Sequence, residues 1–145
     1  MVRSIAVISM VRNDNFFADK WISYYGSQFG YENIYLFIDG MDQDLPKEAD
    51  KINYFKIPFK PHGRTKSDKA RARLISDFAL KLFKDYHVVL AMDIDEFLLI
   101  DPKIKKSLKA YLEQDFNRNS LSALGVDVAQ HPLKEKAIDL NRPFL

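Results

Sequence analysis

The sequence of 145 residues contains no cysteine. That absence excludes disulfides, cysteine-ligated zinc and thiol nucleophiles. Long apolar runs are missing too, and none approaches the roughly 18 residues that span a bilayer. Met1-Val2-Arg3-Ser4 runs directly into a strand-like segment without a signal-peptide pattern, so the expectation is a cytoplasmic protein. Charge of one sign is scarce as well. The 22 Lys and Arg stand against 20 Asp and Glu, a formal net charge of +2, without the concentrated basic surface typical of nucleic-acid binding. Internal repeats and low-complexity tracts are absent. What is present is 47% apolar and 13% aromatic residues, enough to bury a core in one domain over residues 1–145.

The order of elements follows from periodicity. Ile5-Ala6-Val7-Ile8-Ser9-Met10-Val11 is a mostly apolar run rich in β-branched residues, the pattern of a strand covered on both faces. Arg12-Asn13-Asp14-Asn15 breaks it and offers helix N-caps. Phe17, Trp21, Tyr24, Tyr25 and Phe29 then recur at helical spacing up to a stop at Gly30. Strands are expected at residues 33–38 and 53–57. A basic loop over 60–66 follows, and Ser67 is placed to cap a helix reaching about Lys84, with Leu74, Ile75, Phe78, Ala79, Leu82 and Phe83 inward. Residues 87–92 read as the most buried strand, 104–112 as a short helix and 122–128 as a last strand. Strands alternating with helices predict right-handed crossovers and a mostly parallel sheet. The ending Asn141-Arg142-Pro143-Phe144-Leu145, with no terminal helix or polar tail, reads as an interrupted domain.

Ligands of open parallel sheets bind where the strands end. The polar residues after each expected strand are therefore the candidates: Arg12, Asn13 and Asp14, then Asp39 and Asp42, then Asp93-Ile94-Asp95-Glu96. Asp93 and Asp95 lie two apart, so on extended backbone their carboxylates share a side. Two hard carboxylates suit Mg²⁺ or Mn²⁺, which join protein oxygens to substrate phosphates. Directly after Val88-Val89-Leu90-Ala91-Met92, such an acidic group is costly unless compensated.

Asp93-Ile94-Asp95-Glu96-Phe97-Leu98 resembles the D-hydrophobic-D-E-F box of family 2-like glycosyltransferases with the GT-A fold. Val11-Arg12-Asn13-Asp14, with Phe17 and Trp21-Ile22-Ser23-Tyr24-Tyr25, is similar to that group's opening. Ile34-Tyr35-Leu36-Phe37-Ile38-Asp39-Gly40 resembles its Y-I-Y-D-D-G-S segment. The three matches keep the family's order over residues 5–100. Lys20 stands where the family has Glu, Ile38 replaces the first Asp of a pair, and Met41 occupies a Ser region. Beyond Asp101 the likeness fades.

The resemblance implies a GT-A-like, Rossmann-type α/β fold, truncated at its C-terminus. It implies transfer of a sugar from a nucleoside-diphosphate sugar to the hydroxyl of a glycan or lipid-linked acceptor, with a divalent metal. Asp39 would contact base or ribose, with Arg12 and Asn13 beside it. Asp93 would face the ribose or the metal's water shell, and Asp95 would ligate the metal. Lys69 and Arg73 would be donor-binding.

Blander readings stand beside these. Trp21, Tyr24 and Tyr25 read as packing before sugar stacking. His62 and His131 read as exposed loop histidines, His131 being kept as a further metal ligand. Asp127 reads as a surface turn, kept as a candidate catalytic residue. Arg64, Lys66 and Lys69 fit either a solubilising loop or a diphosphate lid. Lys103, Lys105, Lys106 and Lys109 read first as a solvated helix face and second as a peripheral membrane contact or partner patch. Two functional alternatives stay open. One is an Asp-x-Asp metal-dependent phosphohydrolase, whose pair normally follows an N-terminal strand. The other is a non-catalytic domain binding a nucleotide or a partner.

Overall fold

The structure is a computed structural model, and it describes residues 4–142. Residues 1–3 and 143–145, on which the readings of the two chain ends rest in part, lie outside the described residues. The apolar run, broken only by Ser9, makes Ile5–Val11 (β1) an interior strand. All of it but Met10 is buried, and apolar cover on both faces requires a neighbour on each edge and a layer on each side. Ile34–Asp39 (β2) pairs with β1 in parallel, from Val7↔Ile34 to Val11↔Ile38. Asn53–Ile57 (β3) continues the sheet beyond β2, and Val88–Ala91 (β4) pairs with the other edge of β1, both parallel. The order is β3-β2-β1-β4. This is the expected α/β architecture, with an all-parallel sheet among the described residues.

Helices cover both faces. Asn15–Phe29 (α1) begins where the Asp14 carboxylate accepts the Phe17 N–H at 3.1 Å. It ends at Gly30, whose φ of 95° suits a residue without Cβ. Ala18, Trp21, Ile22, Tyr25 and Phe29 of α1 pack with Ile5, Val7 and Val11 of β1 and Ile34, Leu36 and Ile38 of β2 in one core. Arg64–Leu82 (α2) lies over the opposite residues of the strands. There the Phe78 ring meets Tyr35, Phe37 and Phe55 at 5.6, 5.1 and 5.5 Å. Leu108–Leu112 (α3) adds Leu108 and Leu112 to the α1 core. No helix among the described residues is long and apolar enough to cross a membrane.

Four local expectations are corrected. First, α2 starts at Arg64 with Gly63 as its cap, because the Lys66 and Ser67 amides already bond the Gly63 carbonyl at 2.9 and 3.1 Å. Residues 64–66 are therefore helix, and Ser67 lies inside it. Second, Val88–Leu90 are only half-buried, since among the described residues β4 is an edge strand paired with β1 alone. Third, the helix expected from residue 104 shrinks to α3. Lys105 adopts a left-handed φ of 52°, and Ser107 caps the Ala110 N–H at 3.1 Å. Fourth, residues 122–128 form no strand. Leu124, Val126 and Val128 are 90%, 74% and 94% exposed, and an alternating segment without a partner strand gains nothing from extension.

The chain divides into two compact units, Met1–Gln114 and Asp115–Leu145. All the elements above belong to the first. The second has no helix or strand among its described residues. Short local bonds shape it, such as Glu135 N–H to the His131 carbonyl at 3.1 Å and Gln130 Nε2 to the Lys136 carbonyl at 2.7 Å.

Candidate functional site

Parallel pairing sends the C-terminal ends of all four strands to one edge of the sheet. Winding proceeds β1, β2, β3 in one direction and then returns across the sheet to β4, so the direction reverses between β1 and β4. That reversal leaves a crevice beyond the strand ends, because the connections diverge to opposite faces. A cleft of about 360 Å³ lies there, lined by Met10, Val11, Arg12, Asp14, Asp39, Arg71, Asp93, Ile94 and Asp95. A smaller hollow of about 250 Å³ lies beside the first residue of β1 and includes Glu32, Asn33, Lys109 and Glu113. It sits at the wrong end of the strands for a ligand of such a sheet.

The acidic residues of the cleft are held by a turn. The Met92 N–H bonds the Ile8 carbonyl at 3.2 Å, after which the chain leaves the sheet. The Glu96 N–H then closes on the Asp93 carbonyl at 3.0 Å, and the Glu96 carboxylate accepts the Asp93 N–H at 3.3 Å. Asp93 and Asp95 therefore reach one cleft through a tight turn, where alternation along extended backbone was expected to align them. Both are exposed.

The basic residues come from two elements. Arg12, next after β1, donates to the Asp39 carbonyl. It lies 3.6 Å from the Asp42 carboxylate, and its guanidinium stacks 3.8 Å from the centre of the Phe59 ring. The bond from its own backbone N–H, against some desolvation, and then Gln43 and Arg12 hold the Asp42 carboxyl below its usual range. Gly40 is required beside them. Its φ is 132°, which side chains rarely adopt, and a Cβ there would also displace the ends of the Arg12 and Asp42 side chains. From α2, Arg71 reaches over the edge and pairs with Asp93 at 3.3 Å.

Of the residues read from the sequence, Arg12, Asp14, Asp39, Asp93 and Asp95 meet in this cleft, Asp14 also capping α1. Asn13 is exposed outside its lining with a φ of 55°, its N–H bonded to Gln43 Oε1 at 2.7 Å. Lys69 and Arg73 do not line it either. Both are exposed, and Arg73 faces Asp77 on its own helix at 4.0 Å. Asp127 and His131 are exposed residues of the second unit, and His131 Nδ1 accepts the Leu133 N–H at 3.3 Å. Arg71 is the cleft residue that sequence reasoning missed. It precedes Leu74, Ile75 and Phe78 by three, four and seven positions, so helical spacing sets it on the inward face. Lys69 and Arg73 lie two residues to either side and point elsewhere.

The donor set is all oxygen, the chemistry of Mg²⁺ and Mn²⁺. Among the described residues no group of three or more His, Cys, Asp or Glu side chains is gathered to hold a metal. Two carboxylates fit an ion that takes its remaining ligands from water and substrate phosphate, as Mg²⁺ commonly does. No family model, curated protein or solved structure matches this chain.

Proposed function

We propose that this chain binds a nucleoside-diphosphate sugar and serves as the donor-binding part of a GT-A-like glycosyltransferase. The observation that carries the reading is the convergence of Asp39, Asp93 and Asp95 with Arg12 and Arg71 at the switch point of an all-parallel sheet. Asp39 accepts hydrogen bonds from the nucleoside, and the stacked Arg12 stiffens that end of the cleft. Asp95, with Asp93, would hold a divalent cation in the cleft. When bound, that cation supplies charge neutralisation to the departing diphosphate. Arg71 faces the same group and adds a charged donor. In the transfer the acceptor oxygen bonds the anomeric carbon, the bond from that carbon to the diphosphate oxygen breaks, and the hydroxyl proton leaves to solvent.

Titration of UDP and GDP into the protein, with Mn²⁺ and with EDTA, tests this. Carboxylates at the cleft repel a diphosphate unless a cation intervenes, so binding requires Mn²⁺ and is lost in Asp95→Asn with the fold intact. Asn keeps the shape of Asp and removes its charge. Equal, metal-independent binding by both proteins refutes the assignment.

A further inference from the structure

The turn that carries Asp93 and Asp95 is closed by its own hydrogen bonds, but those bonds do not fix where it sits. Its incoming tie is the Met92 N–H on the Ile8 carbonyl. Its outgoing tie is made by neighbouring tyrosines of α1. The Tyr25 hydroxyl accepts the Leu98 N–H at 2.7 Å and faces the Glu96 carbonyl as donor at 3.3 Å. The Tyr24 hydroxyl donates to the Leu98 carbonyl at 2.8 Å. Between these bonds the Phe97 ring stacks on Tyr25, with centroids 6.3 Å apart and planes within 6°, and meets Tyr24 edge-on at 5.4 Å.

We propose that Tyr25, supported by Tyr24, is a positioning residue that sets the Asp93–Glu96 turn in ligand-binding geometry. This inference rests on the reading of the cleft given above and assigns the tyrosines a part in it. The physical reason is the contrast in rigidity. Residues 92–100 form no helix or strand, and their backbone groups need partners from elsewhere. Tyr25 is fully buried in the core beside Trp21, so its hydroxyl is a fixed point that close packing does not allow to drift. A phenol both accepts and donates, which two backbone groups of opposite polarity require. A phenol keeps its donor proton at neutral pH, and burial raises the pKa of both tyrosines further above the ordinary value. A cation held by only two protein carboxylates depends on their placement more than one in a complete cage, and removing supports behind ligands lowers metal affinity.

The test compares Tyr25→Phe, Tyr24→Phe and Tyr35→Phe in Mn²⁺-dependent UDP binding, with thermal unfolding and amide exchange at Leu98 measured on each. Phe keeps the rings and removes the hydroxyls. Tyr35 is the matched control, because its hydroxyl bonds Tyr86 at 3.1 Å, among the residues that meet α2. Tyr25→Phe is expected to weaken Mn²⁺–UDP binding by about tenfold or more and to speed Leu98 exchange. Tyr24→Phe has a smaller effect in the same direction, and Tyr35→Phe lowers stability without changing affinity. A folded Tyr25→Phe that binds like the wild type overturns the inference and leaves the cleft assignment standing. So does a loss of affinity in Tyr35→Phe equal to that in Tyr25→Phe, since affinity then merely follows stability. If Tyr25→Phe does not fold, unaltered binding by Tyr24→Phe overturns the inference. Failure of the wild type to bind Mn²⁺–UDP refutes the cleft assignment, and this inference falls with it.

Discussion

Replacing Arg71 by Met separates its roles in stability and in binding, because Met keeps most of the aliphatic length and removes the charge. In the free protein Arg71 Nη1 lies 3.3 Å from Asp93 Oδ1, and the two side chains are 44% and 51% exposed. Coulomb's law at the 3.3 Å separation gives about 1.3 kcal/mol in bulk water. Side-chain entropy and screening at such exposure leave less than about 1 kcal/mol of stability. The melting temperature of Arg71→Met should accordingly fall by no more than a few degrees, on the order of 4 °C.

Binding responds differently. Asp14, Asp39, Asp93 and Asp95 line the cleft with Arg12 and Arg71, so acidic residues outnumber basic ones there, and a diphosphate adds further negative charge. Loss of one charged donor to that group costs about 1.5–3 kcal/mol, or roughly 10- to 150-fold in affinity. Meanwhile Asp93, released from its ion pair, should bind Mn²⁺ alone more tightly. Calorimetry with UDP in saturating Mn²⁺, and Mn²⁺ titration without nucleotide followed by electron paramagnetic resonance, read the two effects separately. UDP affinity within about twofold of the wild type, a change of about 0.4 kcal/mol, would show that Arg71 does not face the diphosphate. Weaker binding of Mn²⁺ alone would refute the competition argument.

Two further outcomes are expected alongside the metal and tyrosine tests. Asp39→Ala should weaken nucleotide binding by about 1.5–3 kcal/mol with little change in melting temperature, because Asp39 ends β2 at the cleft and is only half-buried. Unchanged affinity by calorimetry would place the nucleoside elsewhere. Burial, and for Tyr86 the bond with Tyr35, raises the Tyr25 and Tyr86 phenols above their ordinary value of 10.0. Both therefore stay protonated in the folded state while their unfolded counterparts ionise. Their contribution is complete below pH 10 and is lost as pH rises beyond it. Melting temperature should then fall above about pH 10, less steeply in Tyr86→Phe than in the wild type; identical alkaline slopes would count against the buried phenols.

The sequence by itself determined the elements and their order in the first unit. The largely apolar run Ile5–Val11 demanded a strand covered on both sides, and the structure makes it an interior strand of a parallel sheet. The aromatic spacing from Phe17 to Phe29, with Asp14 before it and Gly30 after it, bounded α1 because capping and periodicity are local effects. The strand ends likewise pointed to Arg12, Asp39, Asp93 and Asp95, since parallel topology brings those ends together. Tertiary structure decided what depends on neighbours. The edge position of β4 left Val88–Leu90 half-buried, which their composition does not reveal. Residues 122–128 have the alternation of a strand, yet pairing needs a partner. Arg71 joins the cleft while Lys69 and Arg73 do not, because the rotation of α2 about its axis is fixed by Phe78 against Tyr35, Phe37 and Phe55. The tie from Tyr24 and Tyr25 to the Asp93–Glu96 turn spans more than 70 residues, a separation that only packing of α1 on the sheet closes.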